Sequence, residues 1–253
     1  MLSNNGIKFI RSLKLKKFRQ KYNNFVVEGD KIAQEILQSE NIEIESIYAL
    51  PSWVETNRDL LKLHKEKLTP VTEIELKKIS IHPTPNSVLV IAKCFSEEFD
   101  KQKVSEGVSL YLDGIQDPGN LGTIIRIADW FGISTVFCSP DTVDLYNAKV
   151  MQATMGAFLR VKVVKMEFSA VVESFPKLPV YGTVLGGENI FKAKLQDKGI
   201  IVVGNEGQGI SPKIMKRLDY KLMIPSGTNN SAESLNAAVA TGIVCAIFKN
   251  VNR

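Results

Sequence analysis

The feature that most constrains this chain is the alternation of short apolar runs with longer segments of helical patterning. In the last 147 residues, apolar runs at 108–112, 135–138, 180–184 and 199–203 alternate with such segments. Parallel strands need a crossover connection, and a helix is the usual one. Residues 107–253 are therefore predicted to form an α/β fold with a parallel sheet covered by helices on both faces.

A smaller α/β domain is predicted in the first third of the chain. The expected strands are 24–29, 42–50 and 87–95, and the expected helices are 30–39, 57–67 and 71–79. The segment that follows, 97–106, is charged and has few apolar side chains, which is typical of a linker. We therefore expect a first domain at 1–96, a linker at 97–106 and a second domain at 107–253.

The charge of the chain favours a polyanionic partner. The net charge is +5 and the sequence pI is about 9.0, a balance that suits RNA or DNA. Residues 8–21 hold seven basic residues and no acidic one, interleaved with apolar side chains. They form either a solvated helix face or a phosphate-binding surface, and the overall charge favours the second. The candidate RNA-binding residues are Lys8, Arg11, Lys14, Lys16, Lys17 and Arg19.

Several classes of protein fit the sequence poorly. The three cysteines are far apart and the two histidines have no evident partners, so no metal site is expected. No apolar run reaches the roughly 18 residues that span a membrane, and the N-terminus lacks the apolar core of a signal peptide. We therefore expect a cytoplasmic protein without a metal or a membrane segment.

Polar, glycine-rich loops follow three of the predicted strands. The first, 113–122, leads into a helix that begins at Asn120 or Thr123 and carries Arg126. A helix start after such a loop favours anionic ligands, because its N–H groups are free and its dipole is positive there. The loop lacks the Gly-Lys-Ser/Thr of a P-loop and the G-x-G-x-x-G of a dinucleotide site. For Arg126 itself, a surface salt bridge is the alternative to a functional role.

The second and third loops have a similar character. Residues 204–209 contain three glycines in six positions, which permits positive backbone angles and close approach of a ligand. The third loop precedes a last helix rich in small residues, for which Ser234 is the expected N-cap. Asn230 with Glu233 is an alternative capping pair one turn earlier.

Together, these loops resemble the three motifs of a known enzyme family. D-x-x-x-x-P-x-N-x-G-x-x-x-R at 113–126, G-N-E-G-x-G at 204–209 and I-P…S-L-N at 224–236 look like those of the SpoU (TrmH-type) RNA ribose 2′-O-methyltransferases, in the SPOUT class. The 226–233 loop is a residue or two longer than the usual family spacing. The first third of the chain resembles the RNA substrate-binding domain common in this family.

The resemblance implies a trefoil-knotted α/β domain, a homodimer and a pocket for S-adenosylmethionine. It places the cofactor-binding residues at Thr183, Gly187, Gly204, Ile224 and Leu235. The implied reaction transfers methyl to a ribose 2′-hydroxyl, in ribosomal RNA rather than transfer RNA. The alternatives are a tRNA 2′-O-methyltransferase and a non-catalytic RNA-binding or ribosome-assembly protein of the same fold.

The resemblance also implies the catalytic residues, which are Arg126, Asn120, Glu206, Ser234 and Asn236. Arginine is a poor base because its ordinary pKa lies above about 12. Arg126 is therefore expected to anchor the ribose and its phosphate and to stabilise the developing alkoxide, in its own subunit or in the opposite one. Asn120 and Glu206 would orient Arg126, and Ser234 and Asn236 would complete the pocket.

Overall fold

The computed structural model describes residues 2–96, 98–227 and 233–250. Its internal contacts divide the chain into two compact units. The first unit contains 1–96 together with 146–159, and the second contains 97–145 together with 160–253. None of the helices in the described part of the chain is both long and apolar enough to cross a membrane.

The helices and strands follow one another along both units. The helices are α1 (Asn4–Ser12), α2 (Lys16–Tyr22), α3 (Asp30–Gln38), α4 (Pro51–Thr56), α5 (Glu73–Ile79), α6 (Lys101–Glu106), α7 (Pro118–Phe131), α8 (Ala148–Thr154), α9 (Phe168–Ser174), α10 (Pro212–Met215) and α11 (Ala237–Asn250). Short 3₁₀ helices cover Leu60–Lys67 and Ala157–Leu159. The strands are β1 (Asn24–Glu28), β2 (Ile44–Ala49), β3 (Leu68–Pro70), β4 (Val88–Lys93), β5 (Val108–Asp113), β6 (Thr135–Cys138), β7 (Lys162–Lys165), β8 (Val180–Asn189), β9 (Gly199–Gly204) and β10 (Tyr220–Met223).

The sheet of the first unit has four strands in the order β1-β4-β2-β3. The central strand β4 runs antiparallel to both β1 and β2, while β2 and β3 are parallel. Its core includes Ile10 and Leu13 from the N-terminal helices, packed with Leu76, Leu89 and Ile91. The basic N-terminal segment therefore has an inner face that is part of this core.

One helix of the first unit lies differently from the prediction. The expected helix 57–67 is replaced by α4 and a 3₁₀ helix, Leu60–Lys67, in which His64 has non-helical backbone angles. Pro51 occupies the first turn of α4, where its missing N–H costs no hydrogen bond. Helix α4 therefore begins at Pro51, ahead of the charged run at 57–67 on which the predicted helix was based.

The sheet of the second unit has six strands in the order β10-β8-β9-β5-β6-β7. Each neighbouring pair in this sheet is parallel, so the predicted parallel sheet is confirmed. One face packs on α6, α9 and α10 through buried residues that include Tyr111, Phe137, Phe168, Val202 and Ile214. The last helix, α11, packs along α7 and also contacts β9.

The two compact units differ from the expected domains in two segments, 97–106 and 146–159. Within the expected linker, residues 101–106 form α6, and Val104 is fully buried in the core of the second unit. Residues 146–159 belong to the first unit, where Phe25 packs against Tyr146 and Phe158 at 4.7 and 6.2 Å between ring centroids. A single buried apolar residue in a charged run was too weak a signal to reveal α6.

The last helix begins later than predicted. α11 starts at Ala237, and the Asn236 side chain accepts hydrogen bonds from Ala238 N at 3.0 Å and Val239 N at 3.2 Å. Asn236 is therefore the N-cap, and the expected cap at Ser234 is wrong. Asn230 of the alternative capping pair lies outside the described residues, as does most of the 226–233 loop.

A close crossing of two backbones fixes the edge of the second sheet. Lys221 lies opposite Gly182, but the next residue of β10, Leu222, lies opposite Glu188. Residues 183–187 therefore bulge out of β8 opposite a single peptide bond of β10. A Cβ added at Gly187 would lie 2.5 Å from Lys221 O, so only glycine fits there.

We expect Gly187→Ala to lower the free energy of unfolding by about 2 kcal/mol or more, because the added methyl overlaps the β10 backbone. The matched control is Gly242→Ala in α11, where the added Cβ meets Ile127 at an ordinary 3.6 Å. Alanine favours helix over glycine, so this control should raise stability by roughly 0.5–1 kcal/mol. Denaturant unfolding measures both, and equal effects would contradict the crossing.

Candidate active site

The predicted site lies at the carboxyl ends of β5 and β9, where the strand order reverses direction. Neighbouring loops at such a point leave a crevice, which is where open α/β sheets bind ligands. Two hydrogen bonds tie the loops together. Ser211 N donates to Asp113 Oδ2 at 2.7 Å, and Asn205 Nδ2 donates to Gly114 O at 2.7 Å.

The second loop is a closed turn organised by Asn205. Its Oδ1 accepts hydrogen bonds from Gly207 N at 2.9 Å and Gln208 N at 3.0 Å. The backbones of Asn205 and Gly209 exchange two more hydrogen bonds, and Gly209 has a φ of +69°. The sequence analysis did not name Asn205 as a site residue. The sequence pattern that could have identified Asn205 is an asparagine at the start of a glycine-rich turn. The side chain of an asparagine in such a place often forms a hydrogen bond with the backbone two residues further on.

The first loop positions α7. Asp117 is the N-cap and accepts a hydrogen bond from Asn120 N at 2.8 Å, and Pro118 occupies the first helical position. The helix therefore begins before the predicted start at Asn120 or Thr123. This earlier start places Asn120 in the first turn of α7, at the mouth of the crevice.

Three of the predicted catalytic residues form one hydrogen-bonded chain. Asn120 Nδ2 donates to Glu206 Oε1 at 2.7 Å, and Asn236 Nδ2 donates to Asn120 Oδ1 at 2.8 Å. The three side chains come from the three glycine-rich loops, separated by 86 and 116 residues along the chain. Glu206 and Asn236 are exposed and Asn120 is partly buried, so this polar chain is open to a ligand.

Arg126 and Ser234 are not joined to this chain. Both are exposed, and neither side chain has a hydrogen bond or an ion pair with another described residue. The expected orientation of Arg126 by Asn120 and Glu206 is therefore absent from the described part of the chain. Nor does Arg126 form the surface salt bridge that was the alternative, since its neighbour Asp129 pairs with Arg160 at 2.9 Å.

The residues predicted to hold a cofactor surround the same strand ends. Thr183 Oγ1 donates to Val202 O at 3.1 Å, at the start of the bulge in β8. A Cβ on Gly204 would lie 2.3 Å from the Gly209 backbone, so this glycine, like Gly187, is required by the fold itself. Ile224 follows β10 and is partly buried, and Leu235 is half exposed before α11.

Comparison with known proteins decides the family. The profile of the SpoU rRNA Methylase family matches residues 107–246, and that of the MRM3-like substrate binding domain matches residues 4–90. The chain belongs to the SpoU rRNA methylase family. One relative is the 23S rRNA (guanosine(2553)-2′-O)-methyltransferase RlmP of Bacillus subtilis, which is 32% identical over 95% of this chain and 94% of its own.

Solved structures of other SpoU family members have the same fold. A putative RNA methyltransferase of the TrmH family from Porphyromonas gingivalis is 35% identical, with a TM-score of 0.87 over 99% of both chains. An AdoMet-bound rRNA methyltransferase from Sinorhizobium meliloti is 25% identical, with a TM-score of 0.84 over 99% of this chain and 96% of that one.

The site fits the cofactor of this family, S-adenosylmethionine. The bulge at 183–187 takes five residues out of the β8–β10 register, so their backbone groups can bind a nucleoside. The apolar side chains of Leu185, within the bulge, and Leu235, just before α11, are 79% and 50% exposed respectively. Such a mixture of backbone polar groups and apolar side chains is typical of small-molecule sites.

Neither buried cysteine of the second unit has the chemistry of a nucleophile. Burial raises the pKa of both Cys138 and Cys245 to about 12. Both therefore remain neutral thiols at physiological pH, and the thiolate is the reactive form. Among the described residues, no group of three or more His, Cys, Asp and Glu side chains could hold a metal ion.

The candidate RNA-binding residues of the first unit divide into two groups. Lys8, Arg11, Lys14, Lys16 and Lys17 are exposed. Arg19 is only 5% exposed, and its Nη1 donates to Leu13 O and Lys14 O, both at 2.8 Å. Arg19 therefore holds the turn between α1 and α2, and its assignment to phosphate is corrected. A basic run cannot reveal which of its members turns inward.

We expect Asn205→Asp and Asn205→Ala to separate the two tasks of this side chain. Aspartate keeps the acceptor for Gly207 N and Gln208 N but loses the donor to Gly114 O, and alanine loses all three. At about 1 kcal/mol per hydrogen bond, Ala should destabilise the protein more than Asp. Thermal unfolding checks this order, and equal melting temperatures for wild type and both variants would contradict it.

Proposed function

We propose that this protein transfers a methyl group from S-adenosylmethionine to a ribose 2′-hydroxyl of ribosomal RNA. The observation that carries the proposal is the hydrogen-bonded chain of Asn120, Glu206 and Asn236 at the crevice of a SpoU-family sheet. Ribosomal RNA is favoured over transfer RNA because RlmP, which matches this chain almost end to end, is named as a 23S rRNA methyltransferase.

When bound, S-adenosylmethionine would supply a sulfonium methyl group whose carbon bonds to the ribose 2′-oxygen as its bond to sulfur breaks, so that S-adenosylhomocysteine leaves and the hydroxyl proton passes to water. The protein must then hold the 2′-oxygen in line with that methyl. Arg126 anchors the ribose and its phosphate, because a guanidinium donates several hydrogen bonds and accepts none. The same donors stabilise negative charge as it develops on the oxygen. The Asn120–Glu206–Asn236 chain holds the loops in place around this step.

The second unit forms a trefoil knot in this proposal. Support comes from α11, which follows β10 and packs against helix α7 and strand β9, both of which precede it in the chain. Further support comes from the glycines at 187 and 204, where other backbone segments pass too closely for a side chain. An experimental structure whose backbone is unknotted, so that pulling on its two ends would extend it fully, would contradict the knot.

The working form is a homodimer that shares its sites. Trp130 of α7 is 84% exposed, and Val239 near the start of α11 is also exposed, although both are large apolar residues. Exposed apolar side chains of this kind favour an interface between copies. Arg126 lies six residues beyond Asn120, so their side chains diverge by about 120° around α7. That divergence suits an Arg126 that serves the partner's site.

We expect light scattering to give twice the chain mass of 28.1 kDa. Val239→Glu should reduce the mass towards that of one chain, because a carboxylate would be buried without a partner. Leu63→Glu is the control, since Leu63 is an apolar residue of the first unit that is more exposed than Val239, at 90% against 53%. A monomeric wild-type protein would overturn the dimer.

In this proposal the protein acts in the cytoplasm. The support is its basic balance and its family, since RNA is the substrate. Fractionation of cells that express a tagged chain tests this, and recovery in the membrane fraction would contradict it.

We expect Arg126→Ala to lower methyl transfer by about 100-fold or more, the usual cost of removing a donor to a developing anion. The assay transfers labelled methyl from S-adenosylmethionine to total RNA from cells that lack the protein, and then maps the ribose methylation. Cofactor affinity, measured by calorimetry, should be unchanged. Arg58→Ala is the control, because this exposed arginine lies in the first unit and, among the described residues, its ion pair is with Glu55 alone.

The same assay tests the function as a whole. Label at one 2′-oxygen of ribosomal RNA supports the proposal, whereas label in transfer RNA would establish the alternative substrate. A wild-type protein that binds the cofactor but labels no RNA or ribosomal precursor particle would overturn the enzymatic proposal.

A further inference from the structure

The N-terminal helices carry an exposed aromatic surface that the methyl-transfer site does not use. Phe18 and Tyr22 lie one turn apart on α2, with ring planes within 11° of parallel and centroids 6.3 Å apart. The edge of Phe9 from α1 contacts Tyr22 at 5.1 Å, with the rings at 78°. Tyr22 is exposed and Phe18 is partly exposed. Two nearly parallel rings are therefore held in place at the protein surface.

Cationic side chains lie directly over these rings. Lys17 Nζ is 4.9 Å from the centroid of Phe18, and Lys21 Nζ is 5.2 Å from that of Tyr22. Both lysines are exposed, and the segment around them has no acidic residue. The surface thus combines aromatic rings with positive charge and without opposing charge, which is the composition of sites that bind single-stranded nucleic acid.

We propose that Phe18 and Tyr22 form a stacking site for unpaired bases of the RNA substrate. The proposal rests on RNA being the substrate, as argued above, and adds which part of the RNA this surface contacts. A base that stacks on a ring displaces the lysine above it, and the ammonium then lies close to the phosphate of the same nucleotide. We call Phe18, Tyr22, Lys17 and Lys21 the stacking surface.

The strengths of the two contacts favour this exchange. An exposed cation–π contact changes an equilibrium by roughly two- to fivefold. Stacking of a base on an aromatic side chain contributes roughly five- to 150-fold. The displaced ammonium also gains a phosphate partner. The ring contact of each lysine is therefore given up readily when RNA binds.

The geometry selects single strands over duplexes. The bases of an A-form duplex are stacked on one another, and only bases in loops, bulges and ends can stack on a protein ring. Lysines alone would bind both forms through their phosphates. A protein partner would need acidic groups for these lysines, but would have no requirement for two parallel rings.

The test measures affinity of the full chain for a 12-nucleotide single-stranded RNA and for the blunt duplex of the same sequence. Phe18→Leu combined with Tyr22→Leu keeps apolar volume but removes both rings. We expect this variant to bind the single strand about tenfold or more weakly and the duplex with unchanged affinity. Tyr22→Phe keeps the ring, and should bind as wild type does.

A second variant separates charge from stacking. Lys17→Gln with Lys21→Gln should weaken single strand and duplex alike, and reduce the slope of log affinity against log salt by about one to two for the two lost cations. The leucine variant should leave that slope unchanged. Thermal unfolding and cofactor affinity serve as folding controls for both variants.

Two outcomes would overturn the stacking site. One is a leucine variant that binds the single strand as wild type does. That result would favour a protein partner as the ligand of the stacking surface. The other is an equal loss for single strand and duplex, which would indicate damage to α2. Methyl transfer is measured separately, so a failed stacking site with intact transfer leaves the proposed function standing. Intact single-strand binding without any transfer would instead remove the enzymatic proposal.

Discussion

The site depends on the hydrogen bonds that join the loops after β5 and β9. Asp113 accepts from Ser211 N, and Asn205 donates to Gly114 O, so each loop fixes the other. These two strands lie next to each other in the sheet although 85 residues, 114–198, separate the end of β5 from the start of β9. This junction brings the two loops together, and Asn120 Nδ2 donates to Glu206 Oε1 across it at 2.7 Å. The polar chain is thus a product of the fold.

Much of this arrangement follows from the sequence, because the signals involved are local and strong. Apolar runs alternating with helical patterns predict the parallel sheet, and the three loop motifs locate Asn120, Glu206 and Asn236 on its edge. The exact caps were less predictable. Asn236 caps α11 in place of Ser234, and Asp117 caps α7 ahead of Asn120, since several neighbouring residues were equally good caps.

Long-range features left little trace in the sequence. Val104 is buried in the second core although its neighbours are charged, and Arg19 turns inward from a basic run whose other members are exposed. Gly187 and Gly204 were predicted to contact the cofactor. In the structure, glycine is required at both positions because another backbone segment passes too close for a side chain. In each case the decisive neighbour is distant in the chain, or is a backbone atom that any sequence would supply.

The exposure of the site gives the first unit a role in the proposed reaction. Glu206, Asn236 and Arg126 are exposed and Asn120 is partly so, and water would compete for the hydrogen bonds of the proposed ribose site. Affinity must then come from elsewhere, and the exposed lysines of the first unit can supply it through release of counterions from the RNA. Such binding has no preference for sequence, so it cannot choose a nucleotide. A surface that requires unpaired bases adds that choice, because it accepts only the flexible parts of an RNA, where a ribose can also turn its 2′-oxygen towards a methyl donor.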